Sequence, residues 1–144
     1  MSVRPDDDYL VALGWAKYAF LHLEWLVIYT LHDETGRTVT SLSKLTPRTL
    51  SNLLAERWGH DSDLSALAER YSEIVSRRED IAHSHPATQQ ISETGESLQR
   101  LRRHKPNLQA ESSRVYWITT EWLERFAADA LTLNRNISEA LGRR

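Results

Sequence analysis

The longest apolar stretch of the chain runs from Tyr9 to Leu31, and its interruptions are Gly14, Lys17, His22, Glu24 and Thr30. About 20 apolar residues would span a bilayer. The two charges lie well inside the stretch, however, and each costs about 2.5 to 3.5 kcal/mol near a bilayer centre. The pattern therefore predicts a core helix of a soluble protein, or one shared between the core and a subunit interface. Lys17 and Glu24 lie two turns apart on the same face of this helix, and we expect polar partners for both side chains.

A polar connection and a short amphipathic helix follow. The connection runs from His32 to Ser41, with Gly36 as its breaker. Thr46, followed by proline at the first helical position, begins the helix, and Gly59 marks its expected end.

Two longer helices are predicted further along the chain. The first begins at Asp61 or Ser62 and is stopped by Pro86, because proline cannot continue a helix. The last begins near Thr119 or Thr120. Both carry apolar residues at the spacing of one helix face.

The segment 87–118 lacks a clear period. A turn signal at Thr94 and Gly95 predicts that the residues on either side pair as a hairpin. Leu98 and Leu101 are three residues apart, however, which suits a helix. The hairpin is favoured, and a helix or a mobile loop stays open.

Length and composition limit the architecture. With 144 residues, of which 40% are hydrophobic, the chain is long enough for one core and too short for two. We predict one all-α domain over 1–144, an up-and-down bundle of four or five helices. About 1–5 and 142–144 should be frayed, and 87–118 should form an irregular insertion.

Charge and cysteine content narrow the classes of function. The formal net charge of -2 gives no overall attraction to nucleic acid, so any such binding needs a local basic patch. The absence of cysteine excludes disulfides and thiolate chemistry, and it suits a reducing cytoplasm. The first residues, MSVRPDDDYL, lack the features of a secretion signal. We therefore predict a cytoplasmic protein without a membrane segment.

The stretch SRREDIAHSHP, residues 76–86, concentrates the candidate chemistry. Its two histidines, His83 and His85, have the H-x-H spacing, which is a weak metal signal without a carboxylate pattern. The chain has neither a phosphate-binding glycine loop nor a G-x-S-x-G elbow. We predict no metal and no cofactor.

The segment RREDIAH, at the end of a long helix in a small helical chain, resembles the signature of HEPN domains (higher eukaryotes and prokaryotes nucleotide-binding). The acidic Glu24 in HLEW and a long final helix also match that layout. The resemblance implies a metal-independent ribonuclease that cleaves single-stranded RNA to a cyclic phosphate, as a homodimer whose two Arg78 and His83 motifs line one cleft. The alternative is a non-catalytic, HEPN-like dimeric module that binds RNA or a nucleotide. A toxin or antiviral role, with a neutralising partner protein, stays open.

The residue types suit this chemistry. An imidazole, with an ordinary pKa near 6.5, can take the proton from a ribose 2′-hydroxyl, and His83 is the candidate base. A guanidinium stabilises charge that develops on the phosphate, and Arg78 is the candidate clamp, with Arg77 as its competitor. Five residues along a regular helix turn side chains about 140° apart, so Arg78 and His83 converge only if the helix unwinds near His83 or if the substrate sits between them.

Supporting roles are assigned to further polar residues. Asp80, one turn before His83, would orient the imidazole. Glu24 would pair with Arg77 or Arg78 across the bundle, either to hold the guanidinium or as a structural ion pair only. A basic run would follow the RNA backbone, or form a solvated loop; it comprises Arg100, Arg102, Arg103 and Lys105.

Overall fold

The computed structural model describes residues 4–106 and 113–143. Most of them belong to five helices: α1 (Asp7–Thr35), α2 (Val39–Ser43), α3 (Pro47–Trp58), α4 (Ser62–Ala82) and α5 (Thr120–Gly142). Three strands form an antiparallel sheet in the order β1-β2-β3: β1 (His85–Gln90), β2 (Ser97–Pro106) and β3 (Ser113–Ile118). The mostly helical bundle is confirmed in outline, but the domain is not strictly all-α, because it includes this three-stranded sheet.

Side-chain caps determine where the helices begin. Thr46, Asp61 and Thr119 each accept a hydrogen bond from a backbone N–H of the first turn, at 3.0 to 3.2 Å. Such a cap contributes about 1 kcal/mol. The predicted starts of three helices are therefore confirmed, as is the end of α3 before Gly59. The short helix α2, which Thr38 caps, was not predicted.

The core lies between α1, α4 and α5, and α3 covers α4. The Phe20 ring stacks on Phe126 across the contact between α1 and α5, with ring centroids 6.3 Å apart. Leu23 of α1 and Leu123 of α5 are fully buried. Each such side chain stabilises the fold by about 1.5 to 3 kcal/mol relative to exposure. These contacts make α1 the central helix of the core, as its apolar pattern predicts.

The segment 87–118 forms the sheet as far as the structure describes it. Gly95, with φ of 73°, lies in the turn between β1 and β2, so the predicted hairpin is confirmed. The third strand was missed. In β2 the positions that face the bundle include Arg103 and Lys105, which hold a buried carboxylate. Polar residues on the inner face remove the alternation by which a strand is recognised.

Tyr9 joins the first helix to the sheet. Its hydroxyl donates to the carbonyl oxygen of Ile118 at 2.7 Å and accepts from the backbone N–H of Leu101 at 3.0 Å. The side chain is 1% exposed. The sheet is thereby fixed against the N-terminal end of α1.

Two further predictions concern a membrane segment at α1 and frayed ends of the chain. By length and composition α1 could cross a membrane, a test that the core helices of soluble proteins also pass. Ten of its residues are buried inside the fold. Of the ends expected to fray, 1–3 and 144 lie outside the described residues.

Candidate functional site

A groove of about 570 Å³ lies between α1 and the C-terminal end of α4, and we call it the α1–α4 groove. Its lining is largely apolar and includes Phe20 and Leu21 of α1, Ile81 of α4 and Leu101 of β2. Three ionisable side chains also line it: Lys17, Glu24 and Arg78. A cavity of this size and character is typical of ligand sites.

Arg78 lies in this groove near the Glu24 carboxyl, without forming an ion pair with it. The guanidinium carbon is 5.8 Å from the ring centroid of Phe20, and the side chain is exposed. No carboxylate of the described residues lies within 4.0 Å of it, the limit for an ion pair. Arg78 can therefore bind an anion that enters the groove.

Arg77 has an ion-pair partner on α5. Its Nη2 lies 2.9 Å from Asp129 Oδ2, and its guanidinium carbon is 5.5 Å from the centroid of the Phe126 ring. These contacts fix Arg77 against α5. Of the two candidate clamps, only Arg78 lines the groove.

Glu24 is half-buried beside Arg78. Burial raises the pKa of its carboxyl, and the positive charge of Arg78 offsets part of that rise. Neither Arg77 nor Arg78 is within ion-pair distance of it in the described part of the chain. The polar surroundings expected for Lys17 and Glu24 are therefore provided by the groove, which both residues line together with Arg78.

Replacing Glu24 with glutamine should weaken the pH dependence of stability. The raised pKa means that the folded protein binds this proton more tightly than the unfolded chain. The resulting stabilisation is complete below the ordinary pKa of 4.5 and is lost as pH rises through the raised value. Urea unfolding at pH 4.5 and at neutral pH measures this loss, which should be smaller in Glu24→Gln than in the wild type. An equal loss in both proteins would contradict the assignment.

His83 lies where α4 unwinds. The helix ends at Ala82, and His83 caps it with φ of -100° and ψ of 8°, while its backbone N–H donates to the Glu79 carbonyl at 2.9 Å. The imidazole is exposed, and Ala82, the residue before it, lines the groove. The bond to Glu79 is the regular bond of the helix, so the backbone leaves the helical path only after His83. Arg78 lines the groove, whereas His83 is not among its lining residues.

Asp80 has partners other than the predicted one. Its Oδ1 lies 3.3 Å from Arg103 Nε and 3.6 Å from Lys105 Nζ, and the residue is 7% exposed. Burial and a hydrogen bond to Asp80 raise the pKa of the Tyr116 hydroxyl. Asp80 thus anchors β2 and β3 to α4, and the structure assigns it no contact with His83.

The basic run forms the strand β2 rather than a solvated loop. Arg100 pairs with Asp6 at 2.6 Å and lies over the Tyr9 ring, 4.3 Å from its centroid. The next two inward-facing cations of the run hold the Asp80 carboxylate, as described above. Arg102 lies over the Trp117 ring at 5.3 Å. Ion pairs thus engage three of the four residues predicted to bind RNA.

The two histidines of the H-x-H pattern are separated by the end of the helix. His85 begins β1 and stacks on His104 of β2, with centroids 5.4 Å apart. Within 4–106 and 113–143, no three His, Asp or Glu side chains are grouped so as to hold a metal ion.

Sequence reasoning missed two parts of the groove. Lys17 was recognised as a charge on α1 but not as a neighbour of Arg78, and Phe20 was not singled out. The available signal was the helical spacing of Lys17, Phe20 and Glu24, which places them on one face of α1. No protein-family model, curated protein or solved structure matches the chain.

Proposed function

We propose that this chain is a metal-independent endoribonuclease of the HEPN type, which cleaves single-stranded RNA at the α1–α4 groove. The observation that carries the proposal is the exposed guanidinium of Arg78 in an apolar groove, without an ion-paired carboxylate among the described residues; Ala82, the residue before His83, also lines this groove.

Arg78 binds the scissile phosphate. Its guanidinium keeps its charge at any working pH and offers donors in a planar fork that fits phosphate oxygens. The Phe20 ring supports it from one side. Negative charge grows on the phosphate oxygens as the bond is made, so a fixed cation stabilises the transition state more than the bound substrate.

His83 takes the proton from the ribose 2′-hydroxyl. The 2′-oxygen then attacks phosphorus, and the bond from phosphorus to the 5′-oxygen breaks. The 5′-oxygen leaves with the electron pair and takes a proton from solvent. The products are a 2′,3′-cyclic phosphate and a free 5′-hydroxyl, and no metal ion enters the scheme.

The remaining lining suits single-stranded RNA. Lys17 supplies a second cation in the groove beside Arg78. Unstacked bases can rest on exposed apolar side chains such as Leu21, which lines this groove.

The test uses purified protein in excess chelator with a single-stranded RNA and its 2′-O-methyl analogue of the same sequence. The RNA should be cut and should carry a cyclic phosphate at the new end, whereas the analogue, which lacks the nucleophile, should stay intact. Cleavage of both, or of neither, would overturn the proposal.

A second candidate is a non-catalytic module of the HEPN type that binds RNA or a nucleotide. One observation favours it: Asp80 is engaged by the sheet, and no side chain within the described ranges hydrogen-bonds to the His83 ring. Such a module would retain RNA in a filter-binding assay and leave it uncut, and the binding would depend on Arg78.

A further inference from the structure

A row of large side chains on α1 lies outside the core. Of the seven exposed large apolar side chains in the described part of the chain, six belong to α1. Five of them, together with one histidine, form what we call the aromatic stripe: Val11, Trp15, Tyr18, His22, Trp25 and Tyr29.

The spacing of the aromatic stripe alternates between four and three residues. That spacing is the repeat of a helix that packs against another helix over its whole length. At 1.5 Å per residue the stripe is about 27 Å long. Its rings are already ordered, because Trp15 stacks on Tyr18 at 5.6 Å and Trp25 lies 5.8 Å from Tyr29. Tyr18 is 60% exposed and Tyr29 is 52% exposed. The aromatic stripe contains no Asp, Glu, Lys or Arg.

We infer that the aromatic stripe is the contact surface for a second copy of this chain, with the two α1 helices packed side by side in opposite directions. A two-fold contact requires a surface that complements itself. A row with alternating spacings of four and three residues complements itself, because it offers both the protruding side chains and the gaps that receive them.

Charge at the ends of the row favours the opposite direction. The same spacing continues by one position to Asp8 at one end and to His32 at the other. Antiparallel helices centred on the stripe place Asp8 beside the partner's His32, whereas parallel helices place Asp8 beside the partner's Asp8. Antiparallel packing also opposes the two helix dipoles favourably.

The contact borders the α1–α4 groove. Gly14 and Leu21 line the groove and lie next to stripe residues on α1, and Leu21 is 41% exposed. A second copy on the stripe would therefore stand at the edge of the groove. The contact would bring two copies of the Arg78 site to face one RNA. Only this step rests on the proposed function.

Molar mass in solution tests the inference without any RNA. The wild type should have the mass of a dimer by light scattering after size exclusion. Tyr18→Arg should halve the mass, because a charge in the stripe cannot be desolvated against the partner. Val115→Arg is the matched control, since Val115 is 40% exposed but lies on β3. Circular dichroism shows that each variant is folded, and Tyr29→Arg replaces Tyr18→Arg if the latter does not fold. A monomeric wild type, a dimeric Tyr18→Arg, or a monomeric Val115→Arg would overturn the inference.

Engineered cysteines test the direction of packing, because the chain has none of its own. Val11 and the partner's Tyr29 are opposite each other in the antiparallel arrangement. Val11→Cys mixed with Tyr29→Cys should form a mixed disulfide dimer on oxidation, and Val11→Cys alone should not be cross-linked. Cross-linking of Val11→Cys with itself would indicate parallel helices and overturn the direction. Either result leaves the cleavage proposal to its own assay.

Discussion

Replacing His83 with alanine should lower the rate of RNA cleavage by about 10²- to 10⁴-fold, the usual contribution of a general base. The exposed imidazole follows directly after Ala82, which lines the groove, and alanine cannot accept the 2′-hydroxyl proton. Single-turnover cleavage with enzyme in excess measures the chemical step and avoids effects on product release.

His85→Ala is the matched control for this loss. His85 lies two residues further along the chain and is also exposed, but it stacks on His104 in the sheet. Its removal should leave the cleavage rate within a few-fold of the wild type. An undiminished rate in His83→Ala, or an equal loss in both variants, would contradict the role assigned to His83.

Replacing Asp80 with alanine should lower the free energy of unfolding by about 3 to 5 kcal/mol. The carboxylate is the shared partner of Arg103 and Lys105 and accepts a hydrogen bond from Tyr116. Its removal leaves a guanidinium that is 16% exposed without its counter-charge. Because a domain is stable by only about 5 to 15 kcal/mol in total, the variant should lose a large fraction of its stability. Urea unfolding followed by circular dichroism measures the change.

The neighbouring carboxylate provides the control. Glu79 pairs with Arg48 at 3.2 Å, but more than a third of each side chain is exposed. Solvent screens such a pair, so Glu79→Ala should cost less than about 1 kcal/mol. If Asp80→Ala is no more destabilising than Glu79→Ala, then Asp80 does not anchor the sheet.

The helices were predictable because their signals are local. Thr46 before proline, Asp61 before an apolar period and Thr119 before Trp122 are capping signals within one turn of the helix they start. Their positions agree with the structure to within a residue. The central place of α1 was also predictable, since few polar positions interrupt its apolar run.

The sheet and the partners of charged residues were not predictable in the same way. The strand β2 lacks the usual alternation of apolar and polar residues because Arg103 and Lys105 occupy inward positions. Nothing in the local sequence indicates that Asp80, some 20 residues earlier, neutralises these two cations. The sequence favoured the neighbour of Asp80 in the helix, His83, whereas the fold supplies stronger partners from a distant strand.

The candidate site was predictable in part. The motif pointed to Arg78 and left Arg77 as its competitor, since sequence spacing alone does not tell which side of α4 faces α1. In the structure Arg77 pairs with Asp129 on α5, and Arg78 lines the groove. The contribution of Phe20 and Lys17 became visible only when α1 and α4 were placed side by side.

Cleavage of RNA at the α1–α4 groove is tested most directly by comparing Arg78→Ala with Arg77→Ala, prepared in the same way and assayed in excess chelator. The two arginines are neighbours in the chain, and only Arg78 lines the groove. Loss of one donor that stabilises developing charge typically costs about 10²- to 10³-fold in rate, so Arg78→Ala should be slower by that factor. Arg77→Ala should cut at a rate near that of the wild type. If Arg78→Ala cuts as fast as the wild type, the groove is not where RNA is cleaved.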